Sequence, residues 1–193
     1  MGDVDPPAPR RAGEVRSALV LAAMRRLEET PPARLTLQAV ADDAGVNKGL
    51  IHRHFGSKAA LLAAVMHRIR DDYVAQVRPN ASMIDLLFAP VEWIVQNPVL
   101  GHILIWMTSE EIDPEVFGAG YPLVKQSEDL LAAAGVDNPT AIIAHQLSAA
   151  YGWIAFETNM MHALGQDQIE QARDQFLTYA HSVLERELRK EGC

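Results

Sequence analysis

Between Thr36 and Lys58 the chain reads TLQAVADDAGVNKGLIHRHFGSK, which gathers Lys48, His52, Arg53, His54 and Lys58 within a few turns of backbone. Cations and N–H donors at this density suit phosphate oxygens and base edges, which present mostly acceptors. Gly45-Val46-Asn47 divides the stretch into two short helices, the second carrying most of the charge, and the whole reads as a DNA-binding helix-turn-helix. Other chemistry has little to work with. There is no GxSxG elbow, Gly-rich phosphate loop or HExxH pattern. Among the seven His, only His52 and His54 are closely spaced, and side chains two apart diverge by ~160° on a helix. Neither catalysis, a cofactor nor a metal site is expected.

The elements that must position these residues read as helices throughout. Val15, Leu19, Ala22, Ala23 and Leu27 recur at three- and four-residue intervals, predicting an amphipathic helix from Ala12 to about Glu29 that Pro31-Pro32 stops. Thr36 is placed to cap a second helix whose inward face is Leu37, Val40, Ala41 and Ala44, and Gly45 to end it in a left-handed turn. On a third helix, Lys48 to Phe55, Ile51 and Phe55 fall within about 40° of each other and form the buried side. Gly49 and Arg53 lie opposite, with Leu50 and His52 on the shoulders and Lys48 in the first turn. Ser57 opens a fourth helix, expected to run to about Val77 before Pro79.

Beyond it, helices are expected over Ser82 to Gln96, Val99 to Ser109, Tyr121 to Ala134 and Thr140 to Leu164, the last capped by Asn138 with Pro139. A final helix capped by Asp167 would carry Ile169, Ala172, Phe176, Ala180 and Val183 on one face. Glu110 to Gly120 reads as a loop holding at most one short turn. No strand pattern appears, so the fold class is all-α.

Charge divides the chain unevenly. Residues 1–70 hold eleven Lys/Arg and seven Asp/Glu, a net of +4, and residues 71–193 hold six and eighteen, a net of −12. A basic head on an acidic body is the asymmetry of a DNA reader joined to a part that stays off DNA. The single Cys193 suits a reducing compartment. No apolar run reaches the ~20 residues a membrane span needs, and MGDVDPPAPRR does not resemble a signal peptide. A cytoplasmic location with no membrane association is expected. Residues 1–9 read as a disordered arm, either a solvated tail or, ending in Arg10-Arg11, a minor-groove contact.

Thr36, Val40-Ala41, Ala44-Gly45-Val46, Gly49, Ile51, His54-Phe55 and Ser57-Lys58, followed by Ala60-Leu61-Leu62, resemble the TetR family of bacterial transcriptional regulators. The resemblance implies an all-α homodimer, with residues 10–56 as the helix-turn-helix DNA-binding domain and 57–193 as a ligand-binding and dimerisation domain. It implies that Gln38 and Lys48 approach base edges, that Gly49 permits close backbone approach, and that Thr36, His52, His54 and Lys58 hold phosphates. Two positions depart from the family. His52 stands where Tyr is usual, so its charge depends on pH near neutrality. Leu50 replaces a small or hydroxyl residue and offers DNA a thymine-methyl contact or none. His54 could instead pack against its own domain, and Lys58 could be solvated.

In the acidic body, Ala141, Ala144, Ser148, Gly152 and Ala155 form a stripe of small residues, beside a larger one of Ile142, Ala149, Trp153, Phe156 and Met160. By resemblance, the last two helices pair with their copies in a four-helix dimer interface; alternatively, the small stripe packs within one subunit. A pocket for a small apolar or amphipathic effector is expected among Phe88, Trp93, Ile94, Trp106, Met107, Phe117, Tyr121, Trp153 and Phe156. Its candidate polar anchors are His102, His145, Glu157 and Asn159. The implied partners are a double-stranded operator, the effector and a second copy of the chain. The effector would release a repressor by favouring a dimer whose third helices no longer sit ~34 to 36 Å apart. The competing class is a helical protein-interaction module without sequence-specific DNA binding.

Overall fold

The computed structural model describes residues 12–74, 82–117 and 122–190, without the side chains of Val74, Pro114, Phe117, Pro122 and Leu123. The expected arm, residues 1–9, lies outside them. Nine α-helices, α1 (Ala12–Glu29), α2 (Leu37–Ala44), α3 (Gly49–Phe55), α4 (Lys58–Val74), α5 (Met83–Gln96), α6 (Pro98–Ser109), α7 (Pro122–Ala133), α8 (Pro139–Ala163) and α9 (Ile169–Lys190), make up the described chain with two 3-10 turns, Pro32–Arg34 and Pro114–Phe117. Among the described residues there is no strand, and no helix is long and apolar enough to cross a membrane.

The chain divides into two compact units, Met1–Arg68 and Ile69–Cys193. In the first, α1 packs on α2. Leu19, Val40, Ala41, Ile51, Leu61, Leu62 and Val65 are fully buried. The start of α4 belongs to this unit, so its packing boundary falls beyond the helices expected to touch DNA.

Local chemistry fixes the turns. The Ala39 N–H donates to Thr36 Oγ1 at 3.3 Å, starting α2, and the Ala60 N–H donates to Ser57 Oγ at 3.1 Å, starting α4. Gly45 ends α2 at φ 64° with no atom within 4 Å of where a Cβ would stand, so its need for glycine is conformational rather than steric. Gly13, inside α1, also has open space but an ordinary φ. Gly45→Ala is therefore expected to destabilise by about 1–2 kcal/mol, whereas Gly13→Ala should stabilise by about 0.5–1 kcal/mol. Chemical denaturation of the two variants checks this; shifts of the same sign would refute the conformational account of Gly45.

In the second unit α8 is the central element, packing on α5, α6, α7 and α9. Ser82 and Asp85 close a reciprocal capping box on α5, each side chain taking the other's backbone N–H at 3.2 Å. Gly101 lets α6 approach α8, because a Cβ there would come within 2.5 Å of Ile154 Cδ1.

The described α4 ends at Val74, and residues 75–81, including Val77 and Pro79, lie outside the described residues. Two cap expectations need correction. Asn138 occupies the cap position of α8, but its side chain makes no cap hydrogen bond. α9 begins at Ile169, two residues beyond Asp167.

The buried faces of α8 and α9 are also turned from those expected. On α9 the buried residues are Leu177, Ala180, Leu184 and Leu188, while Ile169, Ala172, Phe176 and Val183 are half-buried. On α8 they are Gln146, Ala150, Trp153, Ile154 and Met161. At ~100° per residue this stripe is rotated by roughly 80° from the predicted large-residue stripe. Because α8 is apolar almost all round, periodicity alone does not locate its inner face.

Candidate nucleic-acid interface

Seven residues cannot sustain a helix alone, so α3 depends on its attachments. Ile51 anchors it inward with no exposed surface. Arg16 of α1 sits over the Phe55 ring, 5.0 Å from its centroid, and holds the C-terminal end. At the other end, the Gly49 N–H donates to Asn47 Oδ1 at 2.8 Å and the Leu50 N–H to the Asn47 carbonyl at 2.9 Å. Arg16 and Asn47 were not among the predicted site residues. The signal for Asn47 was present, since Asn commonly takes a backbone N–H two residues on; nothing in the sequence marks Arg16 as a partner of Phe55.

With Ile51 inward, the opposite side of α3 is open. Lys48, Gly49, His52 and Arg53 are all exposed, while Leu50, His54 and Phe55 are half-buried. Lys48 with His52, and Gly49 with Arg53, are four residues apart and form two adjacent rows. His54 lies 6.4 Å from Phe55, ring to ring, in a tilted arrangement. Thr36 is exposed; its Oγ1 accepts from Ala39, which leaves the hydroxyl hydrogen available to an external acceptor. Lys58 is half-buried, with its ammonium donating to the Ala33 carbonyl at 3.3 Å.

Two details refine the predicted chemistry. Gln38, expected at base edges, donates its amide to Asp42 Oδ1 at 2.8 Å, so it must exchange that partner to read a base with this donor. His52 Nδ1 lies 3.2 Å from the Gly56 carbonyl. A carbonyl only accepts, so Nδ1 carries the proton, and Nε2 of the neutral ring is an acceptor. Only the doubly protonated ring has a second N–H for a phosphate.

The acidic residues of α2 are held away from this role. Arg26 Nη2 donates to Asp43 Oδ1 at 2.8 Å, and this hydrogen bonding holds the Asp43 carboxyl below its ordinary range. The Arg26 guanidinium is raised in turn, first by the same hydrogen bond.

The predicted effector residues differ widely in burial. Met107 and Trp153 are buried, and Trp93 and Trp106 are half-buried. Trp93 packs on Tyr73 at 4.8 Å, Trp153 stacks on Phe176 at 4.8 Å, and Phe88 meets the edge of His181 at 5.0 Å. Glu157 accepts from Arg173 Nη2 at 3.2 Å, a part-buried pair joining α8 to α9. The side chain of Phe117 and the whole of Tyr121 lie outside the described residues. Phe156 is 58% exposed, about 110° from the middle of the buried α8 stripe, and so points outward rather than into the bundle. His102, His145 and Asn159 are likewise exposed.

A capped helix, a left-handed glycine turn and a second short helix open on its cationic side define a helix-turn-helix protein with a separate helical unit. The family described as "Bacterial regulatory proteins, tetR family" matches residues 19–65. The chain is 38% identical over 71 residues to the HTH-type transcriptional regulator BetI of Rhizobium meliloti (strain 1021), covering 35% of either chain. It is 25% identical over 160 residues to the HTH-type transcriptional repressor Rv3405c of Mycobacterium tuberculosis (strain ATCC 25618 / H37Rv), covering 81% of this chain and 80% of that one. In fold it resembles a single-residue variant of TetR from Acinetobacter baumannii AYE, solved in complex with minocycline, with a TM-score of 0.54 at 16% identity over 89% of this chain and 93% of that one. Over residues 19–65, which hold the helix-turn-helix, the chain is similar to the TetR family. It spans only about a third of the length of BetI.

Proposed function

We propose that this chain is a transcriptional regulator that binds a double-stranded operator through α3 and is released from it by a small apolar or amphipathic molecule, most simply as a repressor. The observation that carries this reading is the open cationic side of α3, Lys48, His52 and Arg53, opposite a fully buried Ile51. A face built this way is rigid behind and free in front, as groove reading requires. On this reading residues 10–56 contact DNA, residues 57–193 hold the effector and a second subunit, and the protein acts in the cytoplasm without catalysing a reaction.

Self-association is supported by the outer face of α8 and α9. Ala141, Ala144, Ser148 and Ala155 are exposed, and with them the large side chains Phe156, Leu164 and Tyr179 at 58%, 67% and 64%. Apolar surface of this size beside small residues suits close helix pairing with a copy of the same chain. The symmetric dimer would then present two α3 helices one DNA turn apart.

The test is binding to DNA upstream of the chain's own gene, repeated with a panel of apolar compounds that raise its melting temperature. A compound that weakens DNA binding must itself bind more weakly when DNA is present, by the same factor. Compounds that stabilise the protein yet leave DNA affinity unchanged would contradict effector control.

A further inference from the structure

The inner face of α8 carries polar atoms that find no hydrogen-bond partner among the described residues. Gln146 and Trp153 are each 6% exposed, and neither Gln146 Oε1 nor Trp153 Nε1 is answered. A third buried atom, Arg173 Nε, is unanswered on the facing helix α9. Gln146 and Trp153 are one heptad apart, so they lie within about 20° of each other on the helix and ~10 Å apart along it. Around Trp153 the two helices are closed by a stack on Phe176 at 4.8 Å and by the Glu157–Arg173 pair at 3.2 Å. Within this seam a donor and an acceptor are retained where folding alone would favour Phe, Leu or Met.

We propose that these two groups recognise the effector, with Trp153 Nε1–H donating to an acceptor on it and Gln146 Oε1 accepting from a donor. The ligand class is an uncharged, largely apolar molecule bearing both a hydrogen-bond acceptor and a donor, such as a hydroxyl. No net charge is called for, because Glu157 and Arg173 already neutralise each other beside the strip. This rests on the regulator reading above and names what its ligand site would select.

Thermal unfolding of the full chain tests it with three probes sharing one ring frame: fluorene with no polar group, 9-fluorenone with an acceptor, and 9-fluorenol with donor and acceptor. Trp153→Phe keeps a ring to stack on Phe176, and Gln146→Met keeps the length of the side chain. Without a probe, each variant should melt about 2–4 °C higher than the natural chain, because an unanswered buried group is gone. With probes, fluorenone and fluorenol should raise the natural chain's melting temperature more than fluorene does. Trp153→Phe should reduce fluorenone to the level of fluorene, and Gln146→Met should reduce fluorenol to the level of fluorenone.

Lower melting of either variant without a probe would mean the groups are satisfied within the fold, and would overturn the proposal. Equal responses of the natural chain to fluorene and fluorenone, including no response to either, would also overturn it. If other compounds displace upstream DNA equally well from the natural chain and both variants, the regulator reading stands and this assignment falls. If no compound displaces DNA, the regulator reading falls, while the probe contrast still decides whether this seam selects polar groups.

Discussion

Ile51→Ala is expected to destabilise the first compact unit by about 2–5 kcal/mol and to abolish operator binding. Ile51 has no exposed surface and shares its unit's core with Leu19, Val40, Leu61 and Leu62, all equally buried. Truncation removes three carbons and leaves a cavity that close-packed neighbours fill only in part. The consequence is larger than the energy, because seven-residue α3 has few other attachments: Asn47 at its start and Arg16 over Phe55 at its end. The chain's three Trp, 93, 106 and 153, all lie in the second unit, so Trp fluorescence and far-UV circular dichroism separate the two. The variant should show an early helical transition to which the Trp signal is silent, and Ile51→Val should lose only about 0.5–1.5 kcal/mol. Natural-like melting of Ile51→Ala would contradict the anchoring role.

The second large effect concerns recognition rather than stability. Lys48→Ala is expected to cost about 1–3 kcal/mol on the preferred operator, roughly 5- to 150-fold, and much less on DNA altered at the base it reads. Lys48 is exposed at the N-terminal end of α3, the end that a recognition helix presents to base edges. Lys58 differs: it is half-buried, and its ammonium is steadied on the Ala33 carbonyl at 3.3 Å, which suits a phosphate contact of fixed register. Lys58→Ala should therefore weaken all sequences alike and reduce the salt slope by about one. Binding to a randomised operator library distinguishes the pair. Identical sequence profiles for the two variants would refute the division between base and phosphate contacts.

These predictions fall where the sequence was most legible. The caps by Thr36 and Ser57, the left-handed Gly45 and the inward Ile51 all follow from side-chain types acting over a few residues. The open side of α3 was legible for the same reason, because Ile51 and Phe55 lie on one side of a short helix, although Phe55 is only half-buried. What local pattern could not supply was partner choice over distance. That Arg26 takes Asp43, that Gln38 is occupied by Asp42, and that His52 commits Nδ1 to Gly56 depend on where the turns place them.

The second unit was harder to read. α8 is apolar almost all round, so its large residues pointed to the face bearing Phe156, whereas the structure buries the face containing Gln146. Charged Glu157 found Arg173 on α9, a pairing that spacing within either helix does not announce. A pocket assembled from aromatics is the least legible feature, since it depends on the rotation of every helix around it.

The most direct measurement of the central claim is the affinity of the natural chain for DNA upstream of its own gene as salt is raised from about 50 to about 200 mM. A groove reader with the cationic face of α3 should lose affinity steeply, with a slope set by the phosphates it neutralises, and should bind this DNA far more tightly than a scrambled duplex of equal length. A flat salt response, or equal affinity for the scrambled duplex, would contradict the account.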